Sequence, residues 1–185
     1  NSVSGEDETE RIFEGFLKAD RGVSVRCNVS KAEPQEVYDM LKKQGISVKK
    51  SELFDYAFSI DDFDRLQDVE ALKKGYIQVQ DFSSILAGHI PEIKGGENII
   101  DICAAPGGKT LHIADRLNDR KLNGGGKIIS CDLTDAKTAL IKENVERNGF
   151  ENVSVVKNDA LAFKKEWEDT ADIVIADLPC SGLGV

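Results

Sequence analysis

A chain of 185 residues is long enough to bury a real hydrophobic core and fits one domain, or one and a half small ones. With 41% hydrophobic and 31% charged residues it reads as soluble and globular, and no apolar run approaches the roughly 20 residues of a membrane span. A formal net charge of −9 argues against a bulk electrostatic grip on nucleic acid.

The opening NSVSGEDETER is polar, acidic and without an apolar centre, so it has no signal-peptide character. Ile12, Phe13, Phe16 and Leu17 have the spacing of a short amphipathic helix. Ser24–Asn28 is strand-like. Ser30, with Glu33 three residues on and Pro34 next, predicts a helix start capped by Ser30. That helix carries Val37, Met40 and Leu41 on one face and stops near Gly45. Ile46–Val48 and Phe58–Ile60 read as short strands, Asp68–Lys74 as a helix ended by Gly75, Tyr76–Val79 as a strand, and Phe82–Ala87 as the start of another helix. This βαβ–βαβ rhythm predicts a small ferredoxin-like sheet.

The style changes at Gly95–Gly96. Strands predicted at Asn98–Cys103, Lys127–Asp132, Val153–Lys157 and Ala171–Asp177 are nearly all apolar, with helices at Gly108–Leu117 and Asp135–Asn148. Continuous apolar strands between helices predict a parallel sheet covered on both faces. KLNGGGK at 121–127 reads as a flexible inserted loop. The expected domains are a helical or linker segment at 1–23, a ferredoxin-like domain at 24–94, and the first part of a Rossmann-like α/β domain at 95–185. The final LPCSGLGV is a glycine-rich loop where more sheet is expected, so the chain is expected to be an internal fragment.

DICAAPGGKT at 101–110 ends almost as a triphosphate loop does, and Asp172–Asp177 passes for the acidic strand of an ATPase. The phosphate pattern needs a glycine at 103, where Cys103 stands, and Pro106 has no N–H to offer a phosphate. In an open parallel sheet the ligand sits at the carboxyl ends of the strands. There the chain places Asp101–Gly108, Asp132, Asn158–Asp159 and Asp177–Cys180. An acidic residue such as Asp132 after the second strand is the usual partner of ribose hydroxyls, and Asp159 is placed for an adenine edge. Carboxylates there would repel phosphates. The predicted cofactor is therefore adenosyl without phosphate, S-adenosylmethionine.

Asp177-Leu-Pro-Cys180 beside a methyl donor predicts methylation of a pyrimidine carbon. A thiolate adding to C6 of cytosine makes C5 nucleophilic, and the residues alone suggest Cys180 as that thiolate and Asp177 as the group at N3 and N4. Cys27, Cys103 and Cys131 are widely spaced from it and from each other, and the set reads as reduced thiols of a cytoplasmic protein, with no metal site.

CAAPGGKT (103–110), DLPCSGLGV (177–185) and the preceding GYIQVQDFSS (75–84) closely resemble the bacterial ribosomal RNA cytosine-C5 methyltransferases of the Sun/Fmu, RsmB-like type. The resemblance runs from about Ser24 to the last residue. It implies S-adenosylmethionine bound by Cys103, Ala104, Ala105, Pro106, Gly107, Gly108 and Lys109, and by Asp132, Asp159 and Asp177. It also implies a ribosomal RNA partner and an RNA-binding role for the ferredoxin-like domain. A helical domain resembling the antitermination factor NusB often precedes that domain in the family. In the family the Pro-Cys cysteine, Cys180 here, assists product release, and the attacking thiol lies in a Thr-Cys motif. No Thr-Cys pair occurs in these 185 residues, so the fragment itself is expected to be inactive. The alternative is a catalytically silent RNA-binding or assembly module that keeps the fold.

Overall fold

The structure is a computed structural model that describes residues 22–61, 66, 68–118 and 125–179. The helix predicted around residues 12–17, the first part of the KLNGGGK loop, and Cys180 with the rest of the glycine-rich end lie outside the described residues.

The first unit runs β1 (Val23–Cys27), α1 (Pro34–Lys43), β2 (Val48–Lys50), β3 (Ala57–Ile60), α2 (Glu70–Lys73) and β4 (Ile77–Val79). Its sheet has the order β2-β3-β1-β4 and is antiparallel at every pairing. Side chains alternate across a strand, and both faces of this sheet are covered. Val25, Cys27, Phe58, Ile60 and Ile77 pack with Val37 and Leu41 of α1. Arg26, Ala57 and Gln78 stand in one register row on the opposite face. Pro34 starts α1 with its φ already set, as expected. The expected Ser30 cap is not formed: Glu33 occupies the cap position without a side-chain bond, because Ser30 Oγ is engaged by Asp115.

The bridge to the second unit is α3 (Phe82–His89), capped by Asp81, which accepts from Ser84 N. The second unit runs β5 (Asn98–Asp101), α4 (Gly108–Leu117), β6 (Lys127–Asp132), α5 (Asp135–Asn148), β7 (Val153–Lys157) and β8 (Ile173–Ile175). Its sheet is parallel throughout with the order β7-β6-β5-β8, so the order reverses between β5 and β8. This is the class I methyltransferase fold. Thr134 and left-handed Gly149 bound α5, which keeps it to its predicted length. β5 and β6 are buried, but β7 and β8 are only partly covered, and Val174 is 58% exposed, so the expected burial on both faces holds for the centre of the sheet alone.

The two units are joined by polar residues that have left water. Arg26 is fully buried and donates Nη1–H to Asp115 Oδ2 of α4 at 2.8 Å. Asp115 also accepts from Val29 N (3.0 Å), Ser30 N (2.8 Å) and Ser30 Oγ (2.5 Å). Asn28 donates to Gly75 O and Asn148 O, and Gln78 accepts from Arg147. Arg116 Nη1 caps the end of α3 by donating to the carbonyls of Gly88, His89 and Pro91. Where α3 crosses α4, Gly88 lies directly on the His112 ring, and a Cβ there would overlap Nδ1.

A buried charge is tolerated only while paired, and removing one partner costs about 3–5 kcal/mol. The two partners here are unequal. Asp115 keeps three other donors when Arg26 is lost, whereas Arg26 loses the one carboxylate it meets among the described residues when Asp115 is lost. Asp115→Ala should therefore cost about 3–5 kcal/mol in urea unfolding, and Arg26→Met clearly less. Equal losses would show that the pair, and not the Asp115 turn, dominates.

Candidate active site

The site lies at the carboxyl edge of the parallel sheet, at the point where strand order reverses. A cavity of about 180 Å³ is lined there by Asp101, Cys103, Ala104, Ala105, Pro106, Gly108, Lys109 and Asp177 of the second unit. Val79, Gln80, Asp81 and Ser84 of the segment entering α3 complete it.

The loop after β5 is held by its backbone. Ile102 N donates to Ile175 O, Ala104 N to Cys131 O, and Gly107 N to Ala104 O. Asn144 of α5 donates to Pro106 O at 2.8 Å. Gly107 caps α4 at φ 104°, in the left-handed region where a side chain is strained. The chain thereby enters α4 abruptly, and Gly108 and Lys109 of its first turn line the cavity.

Asp101 ends β5 and is 1% exposed. Its Oδ2 accepts from Thr110 Oγ1 at 2.6 Å, while its Oδ1 has no partner among the described residues. Burial pushes the Asp101 carboxyl up to about 6, against the Thr110 hydrogen bond and the nearby Lys109 charge. Lys109 Nζ donates to Asp177 Oδ2 at 2.6 Å and to Ser84 Oγ at 3.2 Å, tying the end of β8 to both units.

Asp132 ends β6 and is 4% exposed. It accepts from Ala105 N (3.0 Å) and Leu133 N (2.8 Å), with Lys137 Nζ at 3.1 Å. Burial pushes this carboxyl up, but the Ala105, Leu133 and Lys137 hydrogen bonds outweigh it, so it stays below the usual range and ionised. Asp132 does not line the cavity; it stands one strand away and pins the loop that does. Asp159 is exposed beyond β7, where its side chain accepts from Leu161 N. The structure thus gathers Cys103–Lys109 and Asp177 around one cavity, with Asp132 and Asp159 farther along the same edge.

Cys103 lines the cavity, but burial and the Asp132 and Asp101 carboxylates push its thiol up. Burial pushes Cys27 up to about 12 and Cys131 up to about 11. None of the three is poised as a thiolate. Among the described residues no cluster of three His, Cys, Asp or Glu side chains could hold a metal, and no helix is long and apolar enough to cross a membrane.

Sequence reasoning assigned no role to Asp101, although it opened the quoted loop, or to Gln80, Asp81 and Ser84. The signal for the last three was the QVQDFSS run, whose Asp-x-x-Ser spacing is that of a helix cap at the cavity rim. Burial pushes the Asp81 carboxyl up, but its Ser83 and Ser84 hydrogen bonds prevail and hold it low.

Comparison with known proteins gives a consistent picture. The model of the family described as 16S rRNA methyltransferase RsmB/F matches residues 90–185. A probable ribosomal RNA small subunit methyltransferase B of Bacillus subtilis is 32% identical over 163 residues, 88% of this chain and 35% of that protein. A tRNA (cytosine(72)-C(5))-methyltransferase of Pyrococcus horikoshii is 37% identical over 120 residues, 65% of this chain and 29% of that protein. The crystal structure of PH0851 superposes with a TM-score of 0.86 at 33% identity, covering 95% of this chain and 39% of that one. The chain spans about a third of the length of these relatives.

Two buried groups give the protein opposing pH responses. Asp101, raised to about 6 from an unfolded value near 3.9, contributes stability below about pH 4 that is lost as pH rises through 6. His112 is pushed down to about 2 by burial and by Arg26 and Arg116. Its contribution is present above about pH 6.5 and is lost as pH falls. Between about pH 4 and 6 the two slopes cancel. Asp101→Asn should remove one of them: urea unfolding should find the variant about 2–3 kcal/mol more stable than the parent at pH 8, and no more stable at pH 4. A constant difference across that range would place the proton elsewhere.

Proposed function

Because the chain belongs to the 16S rRNA methyltransferase RsmB/F family, we propose that it serves methyl transfer from S-adenosylmethionine to C5 of a cytosine in ribosomal RNA. The observation that carries the reading is the cavity itself: a glycine turn entering α4, an Asp101 oxygen with no partner among the described residues, and an ionised Asp132 that pins the turn. A triphosphate would bring anions against these carboxylates. A cationic adenosyl ligand meets them favourably.

Cys103–Lys109 would hold this cofactor through backbone and Lys109, Asp132 at the ribose hydroxyls and Asp159 at the adenine edge. When bound, it supplies an electrophilic methyl group. Asp177, steadied by Lys109, stands at the cavity mouth, where a carboxyl can hold cytosine N3 and N4. Cys180 would assist product release, with the attacking thiol in a Thr-Cys motif that these residues do not contain. The first unit would be a ferredoxin-like, RNA-facing domain. Its β2-β3-β1-β4 order supports this, as do exposed Lys42, Lys43, Lys49 and Lys50 on α1 and β2.

Calorimetric titration should show S-adenosylhomocysteine binding and Mg-ATP binding weakly or not at all; the reverse order would sink the adenosyl reading. Asp132→Ala should weaken S-adenosylhomocysteine by about 1.5–3 kcal/mol, the range for hydrogen bonds to a charged group, with the circular dichroism spectrum unchanged.

With radiolabelled cofactor, these 185 residues alone should transfer no methyl above background to unmodified ribosomal RNA, since they contain no Thr-Cys pair to supply the attacking thiol. Labelling of cytosine C5 that Cys180→Ser abolishes would instead make Cys180 the attacking nucleophile.

A further inference from the structure

Gln80 follows β4 and is 5% exposed, yet it belongs to the wall of the cavity. Its Oε1 accepts from Arg26 Nε at 3.1 Å. A guanidinium nitrogen can only donate, so the atom facing Arg26 must be the amide oxygen, and the NH₂ group must point the other way. That Nε2 has no partner among the described residues. The Gln80 side chain lies against Gly108, 3.7–3.8 Å from where a Cβ would stand, at the N-terminus of α4. A buried amide donor is normally hydrogen-bonded, so one without a partner is exceptional. Gln80 and Asp101 thus both line the cavity, and each carries one buried polar atom without a partner among the described residues, the Gln80 Nε2 donor and the Asp101 Oδ1 acceptor. Beside them are the helix N-terminus and Lys109.

We propose that Gln80, supplied by the first unit, is a specificity-determining residue that donates Nε2–H to the α-carboxylate of an amino-acid group bound in the cavity. A zwitterionic head fits both unmet atoms. Its carboxylate takes the Gln80 amide at the positive end of α4. Its ammonium takes Asp101 Oδ1. Arg26 is a positioning residue: it holds the amide in one orientation and is itself held by Asp115. This rests on the adenosyl reading above and extends it to the amino-acid end of the ligand.

The test compares two adenosyl probes, S-adenosylhomocysteine, which carries the amino-acid head, and 5′-methylthioadenosine, which lacks it. Gln80→Glu keeps an oxygen for Arg26 Nε and replaces only the free NH₂ by an oxygen. It should weaken S-adenosylhomocysteine by about 10- to 100-fold, the span of a hydrogen bond to a charged group, and leave 5′-methylthioadenosine within about twofold. Gln80→Leu, which strands Arg26 Nε, serves as a second variant, and its thermal transition reports the folding cost separately. Unchanged S-adenosylhomocysteine binding by Gln80→Glu overturns the proposal, as does an equal loss for both probes. If the unaltered chain binds neither probe, the adenosyl reading has failed and the assignment of Gln80 fails with it. Binding of both by the parent with no selective loss in the variant refutes the assignment of Gln80 alone.

Discussion

Arg26 gives up all contact with water to meet Asp115, and a guanidinium does so at a cost of several kcal/mol unless its partner is close and fully satisfied. Asp115 meets both conditions, since its two oxygens gather one guanidinium, two backbone amides and a hydroxyl. The pair tolerates little displacement in either direction, because a shift of one unit against the other would leave a charge buried and alone. The remaining contacts follow from this anchor. Asn28 reaches Asn148, Lys31 reaches the Arg147 carbonyl, and α3 settles on α4 at the glycine-to-histidine contact.

The anchor makes the cavity a shared property of the two units. Its floor is the β5–α4 turn, fixed by hydrogen bonds to β6, β8 and α5. Its wall is the segment from Val79 to Ser84, fixed by the first sheet and by the Asp81 cap. Lys109 joins the two through Ser84 and Asp177. Asp101 Oδ1 and Gln80 Nε2 have no partner among the described residues. Both residues sit at strand ends, Asp101 closing β5 and Gln80 following β4, where the two sheets fix their backbone.

The second unit was legible because most local signals agreed with the tertiary outcome, although β5 ends two residues before the predicted Cys103 and β8 is two residues shorter at each end than Ala171–Asp177. Apolar runs became central strands, Thr134 and Gly149 bounded α5, and Gly107 and Gly108 opened α4 where the loop motif ended. The strands of the first unit were found, but their ends moved by one or two residues, and Ser30 went to Asp115 in place of its helix. What stayed hidden was the interface. In SVRCN an alternating Arg26 reads as the solvent side of a half-buried strand, and His112 and Asp115 read as the wet face of a helix. α4 is instead covered on both sides, and its Asp115 finds partners more than 80 positions away. Such pairings leave no period or local spacing to detect. Asp101 was placed at the ligand edge but given no role of its own for a related reason: an aspartate at a strand end is ordinarily solvated, and only its burial at the end of β5 gives it a different chemistry.

The chain of contacts from Gln80 through Arg26 to Asp115 also bears on how such a protein can drift over generations. Positions 26, 80 and 115 lie in three separate stretches of the sequence, yet each is committed by the next. A single replacement strands either a charge or an amide in the interior, whereas a joint replacement by apolar residues of similar volume meets no such obstacle. The intermediates between the two solutions are the barrier. Lineages should therefore hold this triad intact or exchange it nearly whole, so that three positions distant in sequence are inherited as one character.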